Sequence, residues 1–171
     1  MASTPITQRV DPTPDLESRV RPDDHADLRL WLRLLTCSTL IEHHVRTGLR
    51  LDYQTTLPRF DLMAQLERVP EGMTMSDLSR HMMVTNGNIT GITDQLEKEG
   101  LVERNKIKTD RRSSIVKLTP KGQRQFKKMA QSHEKWVQAL FVGLPDETQS
   151  RLLSGLGQLK EIIRGNLPPK P

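Results

Sequence analysis

The sequence predicts a mainly α-helical chain that carries one small β-hairpin. Three observations predict it. Apolar residues recur at helical spacing through most of the chain. Two short β-prone runs, 102–107 and 114–118, flank a polar, basic loop. Pro and Gly fall where those helices must start or stop. The 171 residues are 35% hydrophobic and 27% charged, a balance suited to a folded, soluble chain. No apolar run approaches the ~18 residues needed to cross a bilayer, so no membrane partner is expected. The opening Met-Ala-Ser-Thr-Pro-Ile-Thr has neither the basic nor the apolar region of an export signal, and a cytoplasmic location is expected. The single cysteine, Cys37, excludes an intrachain disulfide framework and a Cys-rich zinc site within one chain.

Residues 1–27 hold three arginines against six acids, with Pro5, Pro12, Pro14 and Pro22, and read as a loosely attached arm. A first helix is expected from about Asp24 to Leu51. Its apolar residues make two stripes, one through Leu28, Trp31, Leu32 and Leu35, the other through Leu30, Leu34, Cys37, Ile41 and Val45. A helix apolar on two sides is wedged between two partners. Thr56 is the expected N-cap of a second helix, with Pro58 in its first turn and Phe60, Met63 and Leu66 on its core stripe. Pro70-Glu-Gly72 ends that segment.

Thr74 and Asp77 have the spacing of a capping box and open a short helix with Leu78 and Met82 on its buried side. Met83-Val84 then leads to Thr85, a second N-cap, and to a helix from Asn86 to Glu99. Gly100 fits the left-handed C′ position beyond it, with Leu101 at C″ meeting Leu96. Two short helices joined by a tight turn make a helix-turn-helix. On a helical wheel Ile92, Thr93 and Leu96 lie within about 60° of Ile89. Gly87, Gly91, Asp94, Gln95 and Lys98 point the other way, with Asn88 and Thr90 on the flanks. Two glycines on an exposed helix face cost about 1 kcal/mol each relative to alanine. They suit a face that another backbone or a base edge must approach closely, or a tight helix contact. The hairpin follows, and Thr119 and Pro120 cap and open the next helix.

The net charge of +5 is unremarkable alone, but residues 98–128 hold eleven Lys/Arg against Glu99, Glu103 and Asp110. Asn can pair with adenine in the major groove, Thr can touch a thymine methyl, and the N–H groups of a helix start attract phosphate. Thr85, Asn86, Asn88 and Thr90 are therefore candidate DNA contacts.

The run Leu78-Ser79, Val84-Thr85, Ile89-Thr90, Leu96-Glu-Lys-Glu-Gly-Leu-Val-Glu-Arg104, Asp110-Arg-Arg112 and Val116-Lys-Leu-Thr-Pro-Lys-Gly122 resembles the MarR family of winged helix-turn-helix regulators. The likeness covers roughly residues 28–165. It implies a recognition helix in the major groove and a wing reaching the adjacent minor groove. By that resemblance Arg112 is the minor-groove arginine and Asp110 the acid that orders the wing. A narrow minor groove concentrates negative potential and favours an inserted guanidinium. Lys106, Lys108, Arg111 and Lys117 would lie near phosphates.

Residues 123–142 carry Phe126, Met129, Trp136, Val137, Leu140 and Phe141 on one helix. Pro145 opens a last helix striped by Leu152, Leu156, Leu159 and Ile163. One winged domain cannot cover so much apolar helix, so a homodimer reading a pseudo-palindromic duplex is expected. The expected division is an arm at 1–23, an N-terminal dimerisation helix at 24–54, a winged helix-turn-helix domain at 55–122, C-terminal dimerisation helices at 123–166 and a tail at 167–171.

The resemblance also implies a small-molecule effector and no required cofactor. Arg29, Arg33, Thr36, Leu40 and His43 follow a 4-3-4-3 spacing on one helix face, with Trp31 beside them. Two arginines one turn apart suit a carboxylate or phosphate, unless they pair with Asp24, Asp27 or Glu42. The stretches 30–35 and 56–63 are similar to a branch that controls aromatic-acid catabolism and senses aromatic acyl-CoA thioesters. In that branch Arg21 would join them on the CoA phosphates. The function expected is a ligand-released repressor of an aromatic-compound operon. Two alternatives stay open: a winged protein-interaction module, and a Cys37-based redox repressor. Against the latter, Cys37 stands among leucines and is expected to be a buried, inert thiol. No P-loop, dinucleotide fingerprint or nucleophile elbow points to an enzyme.

Overall fold

Among the described residues six helices and three strands follow one another: α1 (Ala26–Tyr53), α2 (Leu57–Glu67), β1 (Met73–Thr74), α3 (Met75–Met82), α4 (Asn86–Lys98), β2 (Val102–Ile107), β3 (Asp110–Leu118), α5 (Pro120–Leu140) and α6 (Asp146–Asn166). The computed structural model describes residues 25–107 and 110–168, without the side chains of residues 86, 107 and 110–113. The chain divides into two compact units, the first ending at Trp136 and the second beginning at Val137.

In the first unit α2, α3 and α4 pack over an antiparallel sheet of order β1-β3-β2. The core runs from Leu49 on α1 through Leu62, Met63 and Leu66 on α2 to Leu78, Ile89 and Leu96 in the helix-turn-helix. Leu101, Val102 and Val116 close it from the sheet, and Phe126 and Met129 from α5. Burying one such side chain contributes about 1.5–3 kcal/mol. Aromatic contacts hold α5 against α1 and α2. The Phe60 ring lies 5.4 Å from that of Phe126 and stacks on His133 at 5.1 Å. Tyr53 shares a 2.6 Å hydrogen bond with Ser132. Trp136 lies over Gly48, where a Cβ would come within 2.8 Å of the indole.

Several expectations need correction. A third strand, β1, pairs with β3 through Met73–Val116 and Thr74–Ile115. The second hairpin strand begins at Asp110 rather than Ser114, so most of the expected loop belongs to β3. Thr56 has extended N-cap geometry, yet its side chain makes no capping bond. α5 ends at Leu140, before Gly143 at φ 89°. Cys37 is exposed rather than buried. Its stripe on α1 finds cover only further along, at Val45 and Leu49, while Leu28, Leu30, Trp31 and Leu40 are exposed. In the second unit α6 buries no residue, and Leu152, Leu153, Leu156, Ile162 and Ile163 are all exposed.

Candidate nucleic-acid interface

The helix-turn-helix is fastened by short polar side chains. Thr74 accepts the Asp77 N–H at 3.1 Å and donates its hydroxyl to the Asp77 carboxylate at 2.7 Å. The Ser79 hydroxyl donates across the turn to the Val84 carbonyl at 2.9 Å. Met83 takes the left-handed conformation at φ 53° there. A non-glycine residue at such an angle is uncommon, and its side chain is almost wholly exposed. Thr85 then caps α4 by accepting the Asn88 N–H at 3.4 Å.

α4 has two distinct faces. Ile89, Thr93 and Leu96 are fully buried, and the Thr93 hydroxyl is satisfied by the Ile89 carbonyl at 2.7 Å. Gly87, Asn88, Thr90 and Gly91 are exposed. A Cβ built on Gly87 or Gly91 meets nothing within 4 Å, so packing inside this chain does not require either glycine.

The carboxyl end of α4 is anchored by several elements. Gly100 sits at φ 69°; its N–H donates to the Glu97 carbonyl at 2.8 Å, and Leu101 N–H to that of Leu96 at 2.9 Å. Those two bonds are a full Schellman ending. Three further groups reach in from other elements. The Lys121 ammonium donates to the Glu99 carbonyl at 2.7 Å. The Thr119 hydroxyl donates to the Gly100 carbonyl at 2.7 Å. Arg59 of α2 pairs with the Glu99 carboxylate. Gly122 lets α5 start against the Leu101 carbonyl, into which a Cβ would run. The same Thr119 oxygen accepts Gly122 N–H at 3.0 Å and so caps α5. Thr119-Pro-Lys-Gly122 is therefore the mount of α4, a role that its sequence neighbours alone do not disclose.

The hairpin is joined to α4 by Arg104, whose guanidinium pairs with Asp94 and lies 3.5 Å from Glu97. Across the strands Lys117 meets Glu103 at 3.1 Å, so its charge is already matched within the hairpin. The Lys117 ammonium, then the Asn105 amide, hold the Glu103 carboxyl below its ordinary range. Strand register is regular from Val102–Leu118 to Lys106–Ser114 and then shifts to Ile107–Asp110. Residues 111–113 occupy that shift.

Of the candidate DNA contacts, Thr85, Asn88 and Thr90 are exposed along the first turns of α4, and Lys106 is exposed near the end of β2. Lys108 and the side chains of Asn86, Asp110, Arg111 and Arg112 lie outside the described residues. Of the candidate effector contacts, Arg29 and Arg33 share a recess of about 300 Å³ with Ala26 and Leu30. Trp31 between them and Leu40 and His43 further along α1 are exposed, and the Thr36 hydroxyl is buried without a hydrogen-bond partner. Arg21 lies outside the described residues. Glu42, one acid that those arginines were free to choose, is held instead by Arg46. A larger recess of about 600 Å³ has a floor of Leu66, Leu118 and Phe126 and includes none of the expected effector residues. Among the described residues no three His, Cys, Asp or Glu are grouped to hold a metal, and no helix is long and apolar enough to cross a membrane.

The family model for MarR matches residues 55–114, the span from α2 to the hairpin. The transcriptional activatory protein BadR of Rhodopseudomonas palustris is 30% identical over 123 residues, 67% of this chain and 70% of that protein. Sco3205, a MarR family regulator of Streptomyces coelicolor solved in complex with DNA, has a TM-score of 0.72 at 25% identity. The match covers 88% of this chain and 94% of that one. CouR of Rhodococcus jostii, solved with p-coumaroyl-CoA, shares the fold at 20% identity with a TM-score of 0.65, over 76% of this chain and 90% of its own. BadR and Sco3205 are transcriptional regulators rather than enzymes. A helix-turn-helix with an exposed polar face, a hairpin strapped beside it and these likenesses agree, and the chain belongs to the MarR family of DNA-binding transcriptional regulators.

Proposed function

We propose that this regulator acts as a homodimer on a pseudo-palindromic operator and is released by a small aromatic acid or its CoA thioester. The observation that carries the DNA half of this reading is the polar, exposed amino end of α4 beside a hairpin that is tied to it. In this reading Thr85, Asn86, Asn88 and Thr90 face base edges and phosphates of the major groove. Arg112, ordered by Asp110, enters the minor groove, with Lys106, Lys108 and Arg111 near phosphates. The apolar residues left exposed on α1 and α6 support a second copy as their cover.

The effector half is supported by Arg29 and Arg33 sharing one recess with Leu30. Arg21, Trp31, Thr36, Leu40 and His43 complete the proposed contacts. Cationic guanidiniums one turn apart suit the phosphates of CoA, and apolar neighbours suit an aryl group. CouR, a protein of the same fold, is bound to an acyl-CoA of this kind. For the sign of regulation we propose repression, as a protein sitting on its operator until ligand removes it. The name of BadR favours activation as the second reading.

The test is a mobility-shift titration on DNA upstream of the chain's own gene. Binding should weaken with salt at a slope of about −0.9 per phosphate neutralised, and Arg112→Ala should weaken it further. Adding p-coumaroyl-CoA should release the DNA, less readily from Arg29→Ala or Arg33→Ala. Release by a free acid and by no thioester rejects the CoA version. No shift at low salt rejects the DNA reading, and a reporter that falls on deletion of the gene assigns activation.

A further inference from the structure

We propose that Arg104 is a positioning residue that sets the angle between α4 and the hairpin, so that two grooves of one duplex are engaged together; this rests on the two-groove reading above. The chain passes from α4 into β2 through Gly100, at φ 69°, with no other residue between the helix cap and Leu101. That elbow is bonded at its base, where Thr119 holds the Gly100 carbonyl and Leu101 and Val102 are buried, so bending falls on the strand beyond Val102. Arg104 spans that elbow as a strut. It leaves the third position of β2, on the same side of the strand as buried Val102, and its guanidinium lies between Asp94 and Glu97, one helical turn apart. Its side chain is 25% exposed against 56% for Asp94 and 41% for Glu97. The cation is thus the sheltered partner, and a fork held by two acids has few alternative poses. Its Nε is buried, and Glu97 at 3.5 Å is the acid that faces it. The strand beneath is fixed by pairing of Arg104 with Val116, which is fully buried.

Lever length makes this strut matter. From Val102 to the end of β2 an extended strand spans roughly 17 Å. A bend of about 10° beyond Val102 moves the end of the strand by roughly 3 Å, which breaks any hydrogen bond of about 3 Å made there. α4 would stay in place, because its own mount runs through Lys121, Thr119 and Arg59. Loss of Arg104 should therefore free the hairpin from the duplex and leave the helix engaged.

Footprinting separates the two engagements. Dimethyl sulfate reports guanine N7 in the major groove, and hydroxyl radical reports the sugar edge of the minor groove. The unaltered protein should protect both at each half-site. Arg104→Ala should keep the major-groove protection, lose the flanking minor-groove protection and bind about tenfold more weakly. Asp94→Asn, which alters the more exposed acid, should lose the same flank with an unchanged melting temperature. The double exchange Asp94→Arg with Arg104→Asp should restore the flank. Protection of both grooves by Arg104→Ala, loss of both together, or no restoration by the exchange overturns the proposal. Absence of minor-groove protection in the unaltered protein overturns the two-groove reading itself, and the inference falls with it.

Discussion

At its amino end α4 is capped by one threonine hydroxyl, at 3.4 Å, and presents Gly87, Asn88, Thr90 and Gly91 outward. At its carboxyl end the same helix is held by a Schellman ending, a lysine and a threonine from the start of α5, an arginine from α2 and an arginine from the hairpin. Three other elements converge on one helix terminus, and the outward face of the other terminus is left exposed. The difference is physically sensible for a helix that must present itself to a partner. Every bond made before binding lowers the ordering cost at the moment of binding. Those bonds have to lie away from the presenting surface, and here they lie at the far end of the helix.

The largest test of this contrast acts on the anchored end. Gly122→Ala drives a Cβ into the Leu101 carbonyl, so the start of α5 and the end of α4 must part. Backbone offers little relief, and a destabilisation of about 2–3 kcal/mol is expected, read as a lower urea midpoint. Operator affinity should fall with it, because the mount of α4 is lost. An unchanged midpoint would mean that the two elements do not press together as described.

A substitution at the presenting end should separate stability from binding. Gly91→Ala meets nothing within 4 Å and replaces the poorest ordinary helix former by the best. A gain of up to about 1 kcal/mol is expected, a rise of a few degrees in melting temperature. If DNA approaches the backbone here, affinity for the operator should fall at the same time. A variant that is both more stable and equally tight would remove the glycine face from the interface and leave its composition unexplained.

Much of α4 was legible in the sequence, and the reason is that its signals are local. Thr74 and Thr85 announce helix starts through side chains that reach only three residues, and Gly100-Leu101 announces a stop. The facing of Ile89, Thr93 and Leu96 follows from a period of 3.6. What the sequence hid is non-local. Arg59 meets Glu99 across 40 positions, and Lys121 meets the same residue across 22. No periodicity encodes such pairs. β1 was hidden because two residues are too few to display an alternation. The start of β3 was hidden because Asp-Arg-Arg-Ser has the composition of a loop. Cys37 was misplaced for a related reason. A helical wheel shows which side of α1 is apolar, and it is silent on which stretch of that side one chain can cover.

The smallest effect expected is a pH dependence in the packing behind the anchored end. His133 of α5 stacks on Phe60 of α2, and these are the helices that carry Lys121 and Arg59 to Glu99. Burial lowers the His133 pKa, because the stacked, half-buried ring is a poor place for an imidazolium. The unfolded chain then binds more protons than the folded one between the lowered value and the ordinary value of about 6.5. Stability from this group is complete above that ordinary value and declines as pH falls through the window beneath it. Asp61, whose carboxyl is raised chiefly by burial, acts in the opposite direction at lower pH, so the comparison belongs between about pH 7.5 and 5.5. His133→Phe keeps an aromatic face against Phe60 and removes the titration. Urea midpoints of the two proteins should diverge as pH falls, with the histidine protein declining the more. Parallel midpoints would place the acid sensitivity elsewhere. Because this stack supports the mount and touches none of the presented residues, operator affinity measured where both proteins are fully folded should be the same for the two, unlike the outcome at Gly91.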